Sequence, residues 1–289
     1  MNKKKNAIVI SLSENILFSA GTLIINCEEK MPGIVDEYVL IHEGIKESDK
    51  KVISGLAQVR FIYYDKPDCF FEKVDKLIIN QFSRLVFAKF ECLKLLNDYN
   101  NIIMTDTDVV IYEDISELFA RKKSSLKFLF NDGSVLEQFK CSVDGYDMTK
   151  KGMSAGIIVF HDDLDKYEEM YDFCYRSLQD YGEYIKMPEQ AIFDLMVQDF
   201  NVSPDHIDGR VYCRLPKDAG LDDDFKILHS AGQPKFWSGL KNKDWNRYYR
   251  TWLALGGSSF NKTKLLINII VPVGSLRRKM IQKLYHYLQ

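Results

Sequence analysis

No apolar run in this sequence is long enough to cross a bilayer; the longest notable one, LLINIIVPV at 265–273, falls far short. Three lysines follow Met1, but the apolar stretch behind them is only AIVISL before the polar SEN, which predicts a first strand rather than a secretory signal. Cysteine pairs are also missing. The six cysteines at 27, 69, 92, 141, 174 and 213 form no Cys-x-x-Cys, so a zinc site or dithiol motif has no support. They read as reduced, partly buried thiols of a cytoplasmic protein. Charge of one sign is lacking too: the net charge of -2 gives no support to nucleic acid as a partner. There is no internal repeat, no low-complexity segment and no clean linker. What remains is an ordinary globular composition, 46% apolar and 28% charged over 289 residues, sufficient for a sizeable core.

The first half alternates short β-rich runs with longer helical ones. Ala7–Leu12, Tyr38–His42, Val59–Tyr64, Ile102–Thr105, Leu126–Phe130 and Ile157–Phe160 read as strands. Their near-continuous hydrophobicity fits strands covered on both faces. The stretches between the first three are long enough for crossover helices, which predicts an α/β fold with three layers and a mostly parallel sheet. Ser83–Asn97 reads as a helix capped by Ser83, and Trp245–Ala254 as an aromatic-rich one. A strand through Ile227–His229 is expected to return the chain to the sheet. The division expected is one catalytic domain over 1–260 and a distinct tail over 261–289.

The segment NIIMTDTDVVIYEDISELF at 101–119 carries the sharpest local signal. Asp106 and Asp108 fall near the carboxyl end of a strand, where open α/β sheets bind ligands. If the chain kinks there, both carboxylates can converge on one divalent cation and neutralise a diphosphate. Oxygen ligands suit magnesium or manganese, and an added imidazole favours manganese. A solvated turn is the simpler alternative. A phosphatase with an aspartate nucleophile is another, but it wants a glycine and a hydroxyl residue after the pair, where Val109 and Val110 stand.

A second constellation is KILHSAGQPKFWSG at 226–239. His229 ends a predicted strand, Gly232 permits close backbone approach to an anion, and Lys235 offers a cation to phosphate oxygens. Phe236 and Trp237 would hold the loop on the core. In isolation the segment is equally a packed loop with a half-buried histidine.

Together the segments SENI at 13–16, FSRL at 82–85, MTDTDVVIYEDISELF at 104–119, FND at 130–132, MSAGIIVF at 153–160, EQAIF at 189–193 and HSAGQPKFW at 229–237 resemble glycosyltransferase family 8. This is a retaining family with bacterial lipopolysaccharide galactosyl- and glucosyltransferases among its members. The resemblance implies a GT-A fold with a nucleotide-binding N-terminal half, a UDP-sugar donor (UDP-glucose or UDP-galactose in most members) and Mn2+, with Mg2+ as the alternative. It implies Asp106, Asp108 and His229 as metal ligands, with Thr107 between the aspartates. Arg84 matches an arginine beside the donor, and Gly232 and Lys235 match the residues that meet its phosphates. Gln190 matches the glutamine at the reacting face of the sugar, and Asp132 and Glu189 match acidic residues that hold sugar hydroxyls. Ser13 and Asn15 fall at the base, with Ser13 where many members have an aspartate, which loosens the inference of uracil selectivity. Ser154 and Ala155 fall in an asparagine-alanine-glycine motif, with serine for the asparagine, and Glu189 replaces an aspartate. These two changes touch the sugar pocket, so the hexose is left open. The implied function is hexosyl transfer to a saccharide or lipid-linked glycan in surface polysaccharide synthesis. The alternative is an inactive relative serving as a carbohydrate- or partner-binding scaffold, or an unrelated metal-dependent phosphotransfer enzyme or hydrolase.

The tail from Asn261 carries six basic residues and no acidic one, against -2 for the whole chain. With Leu265, Leu266, Ile267, Ile269 and Ile270 beside them, these residues predict peripheral association with an anionic membrane face. The alternative is packing on the catalytic domain or on a second subunit of a homo-oligomer.

Overall fold

The computed structural model describes residues 4–220, 224–232 and 234–260. The predicted tail, 261–289, lies outside them. The first half alternates as expected: β1 (Lys4–Leu12), α1 (Leu17–Lys30), β2 (Glu37–His42), α2 (Glu47–Ser54) and β3 (Val59–Tyr63). Next come α3 (Lys76–Phe82), a 3-10 segment at Arg84–Phe90, α4 (Glu91–Leu95) and β4 (Tyr99–Thr105). The second half runs β5 (Val109–Ile111), β6 (Leu126–Ser134), β7 (Lys151–His161), α5 (Tyr167–Tyr181), α6 (Pro188–Asp199), β8 (Asp205–His206), α7 (Gly209–Tyr212), β9 (Ile227–His229) and α8 (Lys243–Ala254).

Seven strands form one sheet in the order β3-β2-β1-β4-β7-β6-β8. The four strands β3, β2, β1 and β4 are parallel, whereas β7 runs antiparallel to both β4 and β6. Continuous hydrophobicity follows from two-sided burial. In β1, Ala7 and Val9 enter one core while Ile8, Ile10 and Leu12 enter the other. The first core is completed by α4, α5 and α6, through Leu93, Phe173 and Ile192 among others. The second is completed by α1 and α8, through Leu17, Leu23, Trp245 and Trp252. This is the three-layer α/β/α arrangement.

Two expected elements differ. The helix predicted over Ser83–Asn97 is a 3-10 segment followed by the short α4. Ser83 does cap it, accepting from Leu85 N, but with φ at 63°. Leu85, Phe87, Ala88, Lys89 and Phe90 are buried on several sides, so packing overrides the one-faced α period. The strand Ile227–His229 forms, but not in the main sheet; it pairs antiparallel with β5 in a separate two-stranded ribbon.

Candidate functional site

Strand β4 stops at Thr105 in mid-sheet, and Asp106 is the first residue beyond its carboxyl edge. There its N–H donates to Gly156 O of β7 at 3.3 Å. The chain turns through Thr107 and Asp108, both buried, before β5 resumes at Val109. The β5–β9 register sets Val109 opposite His229, which delivers the imidazole to the aspartates across more than a hundred residues of sequence. Ser230 seals the junction, its N–H and hydroxyl donating to Asp108 O at 2.9 and 3.1 Å. From the other side buried Asn26 of α1 clamps Ile111, donating to its carbonyl at 2.8 Å and accepting from its N–H at 2.7 Å.

The result is a compact group. His229 Nε2 lies 3.2 Å from Asp108 Oδ1 and 3.7 Å from Asp106 Oδ2. One donor atom from each of Asp106, Asp108 and His229 can be chosen so that all lie within 4.8 Å of one another. Two carboxylates and an imidazole suit Mn2+ or Mg2+, so these residues could hold such an ion. Lys235 Nζ donates to Asp108 Oδ2 and to Ser230 O, the latter at 3.0 Å. Burial alone would raise the Asp108 carboxyl, but the facing His229 and Lys235 hold it well below the usual carboxylate range. Burial would likewise lower His229, and the Asp108 carboxylate outweighs it, raising the imidazole well above its ordinary value.

A second cation meets the group from the opposite core. Lys89 is buried, yet its ammonium lies 2.9 Å from Asp106 Oδ1, 2.8 Å from Glu189 Oε1 and 2.8 Å from Ala155 O. Burial opposes its charge, but Asp106 and Glu189 together hold its proton more tightly than in an ordinary lysine. Glu189 and Gln190 occupy the buried first turn of α6, and Ser154 and Ala155 lie on β7 beside Gly156. Sequence reasoning missed Lys89. Its signal was a lysine inside the apolar run FAKF, where a solvated charge is out of place. It also missed Gly156, at which a Cβ would lie 3.0 Å from His229 Cε1.

The expected loop residues are disposed as follows. Gly232 adopts φ 79°, which an L side chain resists. Phe236 stacks on Trp245, and Trp237 meets Phe18 edge-on, holding the loop to the core as expected. Ser13 and Asn15 form the 3-10 turn after β1, with Asn15 exposed. Asp132 is exposed near the end of β6. The Arg84 guanidinium pairs with Asp68 and lies over the Phe71 ring, 5.2 Å from the centroid. An open groove of about 690 Å3 lies elsewhere, lined by Lys66, Tyr171, Tyr175 and Phe200. It contains none of the clustered residues, and its Lys66 is already paired with Glu91 at 3.0 Å. The cluster's chemistry therefore marks the site better than cavity size does.

Comparison with known proteins agrees with this fold. The fold is similar to that of the galactosyltransferase LgtC in complex with donor and acceptor sugar analogues, at 15% identity, TM-score 0.66, 89% of this chain and 98% of that one. An active-site mutant of LgtC matches over the same shares at 14% identity and TM-score 0.67. The bifunctional glycosyltransferase WbbM matches 89% of this chain but 52% of its own, at 16% identity and TM-score 0.64. No curated protein matches the chain in sequence. No helix among the described residues is long and apolar enough to cross a membrane. The sequence model of glycosyl transferase family 8 matches residues 7–240, the span that builds the sheet, the aspartate turn and the His229–Lys235 loop, and the chain belongs to that family.

Proposed function

We propose that this chain is a metal-dependent, retaining hexosyltransferase that uses a nucleotide diphosphate sugar, UDP-glucose or UDP-galactose, and a saccharide or lipid-linked glycan acceptor. The observation that carries the reading is the convergence of Asp106, Asp108 and His229 at the carboxyl edge of the sheet, with Lys235 beside them. Asp106, Asp108 and His229 would hold Mn2+, or Mg2+ in its place, and the bound cation supplies charge neutralisation for a departing diphosphate. Lys235 adds a cation to the diphosphate oxygens. Asn15, Ser13 and the Gly232 backbone are assigned to the nucleotide, Ser154, Asp132 and Glu189 to sugar hydroxyls. A further role falls to Lys89, whose ammonium bridges Asp106 and Glu189 and ties the two carboxylates together at the edge of the site.

The stereochemical course rests on the retention that family membership implies. No second carboxylate pair is assigned as nucleophile and acid/base. The acceptor hydroxyl therefore attacks the anomeric carbon on the face the diphosphate leaves, and a leaving-group oxygen takes its proton. The Gln190 amide stabilises the positive charge that develops on the sugar, being too weak a nucleophile for a covalent intermediate. Synthesis of a surface polysaccharide at the cytoplasmic face of a membrane is the setting this chemistry suits. The test is a panel of nucleotide sugars with Mn2+ and no acceptor, scored by slow hydrolysis. UDP-hexose turnover that stops on chelation is expected. Turnover of simple phosphate esters instead would move the chain to another reaction class, and an inverted anomeric product seen by NMR would sink the front-face course.

A further inference from the structure

His229 has two ring nitrogens, and the site uses only one. Nε2 faces Asp106 and Asp108, while Nδ1 points away, 3.1 Å from Cys213 Sγ. The sulfur is not there by chance of a free rotor. Cys213 ends α7, its N–H bonded to Gly209 O at 3.0 Å, and the next residue is laced to β9. Arg214 N donates to Ile227 O at 3.0 Å and His229 N donates to Arg214 O at 2.8 Å. The backbone thus carries Cys213 and His229 on one hydrogen-bonded frame. At the same end of the ring, Gly156 of β7 leaves space where a Cβ would stand 3.1 Å from Nδ1 and 3.7 Å from the same sulfur. The Nδ1 end of the imidazole therefore meets both a glycine that makes room for it and a thiol that faces its outer nitrogen.

We propose that Cys213 is the positioning residue that fixes the tautomer of His229, holding the ring proton on Nδ1 so that the Nε2 lone pair faces the divalent cation. The proposal rests on the reading of His229 as a ligand. Nitrogen can coordinate only through a free lone pair, so a neutral ligating imidazole must carry its proton on the other nitrogen. That proton needs an acceptor, and outer partners of this kind set ligand orientation and basicity. Carboxylates and backbone carbonyls commonly serve; here the acceptor is sulfur, weaker and more polarisable. Cys213 touches neither donor nor acceptor sugar in this scheme and acts through His229 alone.

The test uses the full chain and Mn2+ alone as probe, free Mn2+ being read by electron paramagnetic resonance without any sugar nucleotide. Cys213→Ala should weaken Mn2+ binding about 10- to 100-fold, and Cys213→Ser, which restores an acceptor at the same place, should recover most of it. In parallel, 15N spectra of the histidine rings at one fixed, sub-saturating Mg2+ concentration should show a larger fraction of His229 with its proton on Nδ1 alone in the wild type and in Cys213→Ser than in Cys213→Ala. Comparable Mn2+ affinity in all three proteins with an unchanged His229 tautomer would overturn the proposal while leaving the metal site intact. Failure of the wild type itself to bind Mn2+ would overturn the metal reading and this proposal with it. Because the serine variant preserves volume, weak binding by both variants with normal melting temperatures would also count against an acceptor role.

Discussion

Lys89 sits between two carboxylates that face each other from different elements, Asp106 after β4 and Glu189 at the start of α6. Lys89→Met keeps the volume and removes the charge, leaving the buried Glu189 without its cation. The expected loss is about 3–5 kcal/mol of stability, as for other broken buried pairs, read as a fall in melting temperature at neutral pH. An unchanged melting temperature would mean the pair is dispensable. Asp108 is the tighter test of chemistry. Asp108→Asn keeps the shape but removes the charge that faces His229 and Lys235, and turnover should fall about 10²- to 10³-fold, roughly 3–4 kcal/mol in the barrier. Chelation should abolish wild-type donor turnover and Mn2+ should restore it best; full activity in Asp108→Asn would show that the site is misassigned. At this scale Asp106, Asp108, His229 and Lys235 were legible in the sequence because their types and order are unusual. Lys89 was not, because a lysine's burial depends on what folds around it.

Helix α6 shows how an element supports the site through its far side. About one and a half turns after Glu189 along α6, Asp194 faces β7 and accepts from Met153 N at 3.0 and 3.3 Å, next to Ser154. Burial pushes the Asp194 carboxyl up to about 8, the backbone bond opposing it only in part. Between about pH 4 and 8 the unfolded chain releases a proton that the folded one keeps. Stability from this residue is thus fully present at low pH and is lost as pH rises through the folded value, at up to about 1.4 kcal/mol per pH unit. Asp194→Asn cannot ionise and retains an acceptor for Met153 N. Urea unfolding at pH 6 and pH 8.5 should show the wild type losing more stability than the variant across that interval; parallel losses would refute the assignment. Strand β9 teaches the complementary lesson. Its existence was readable from the apolar ILH run, but its partner was not. A three-residue strand fits any free edge, and the contact of Lys226 with Asp114 O and Glu117, together with the Asn26 clamp on Ile111, selects the β5 ribbon.

For the molecule as a whole, the charge asymmetry lies in the chain beyond the described residues. A protein ending near residue 260 should keep Mn2+-dependent donor hydrolysis and lose sedimentation with anionic liposomes, while neutral liposomes should bind neither form well. Equal binding by intact and shortened protein to anionic vesicles would dismiss membrane attachment through 261–289. Family membership, the places of β1, β2, β3, β4, β6 and β7 in the chain, and the three-layer class were determined by the sequence itself, whereas the short β5 and β8 were not, for a physical reason. Strands buried on both faces must be apolar throughout, and short polar signatures such as Asp-x-Asp survive as local text. The tertiary structure alone decided three things: that buried Lys89 meets Asp106, that His229 arrives through a separate ribbon, and that Gly156 and Cys213 both lie at the Nδ1 end of its ring. Each depends on register and packing between segments far apart in the chain, where a shift of one residue would exchange one side chain for its neighbour on the opposite face.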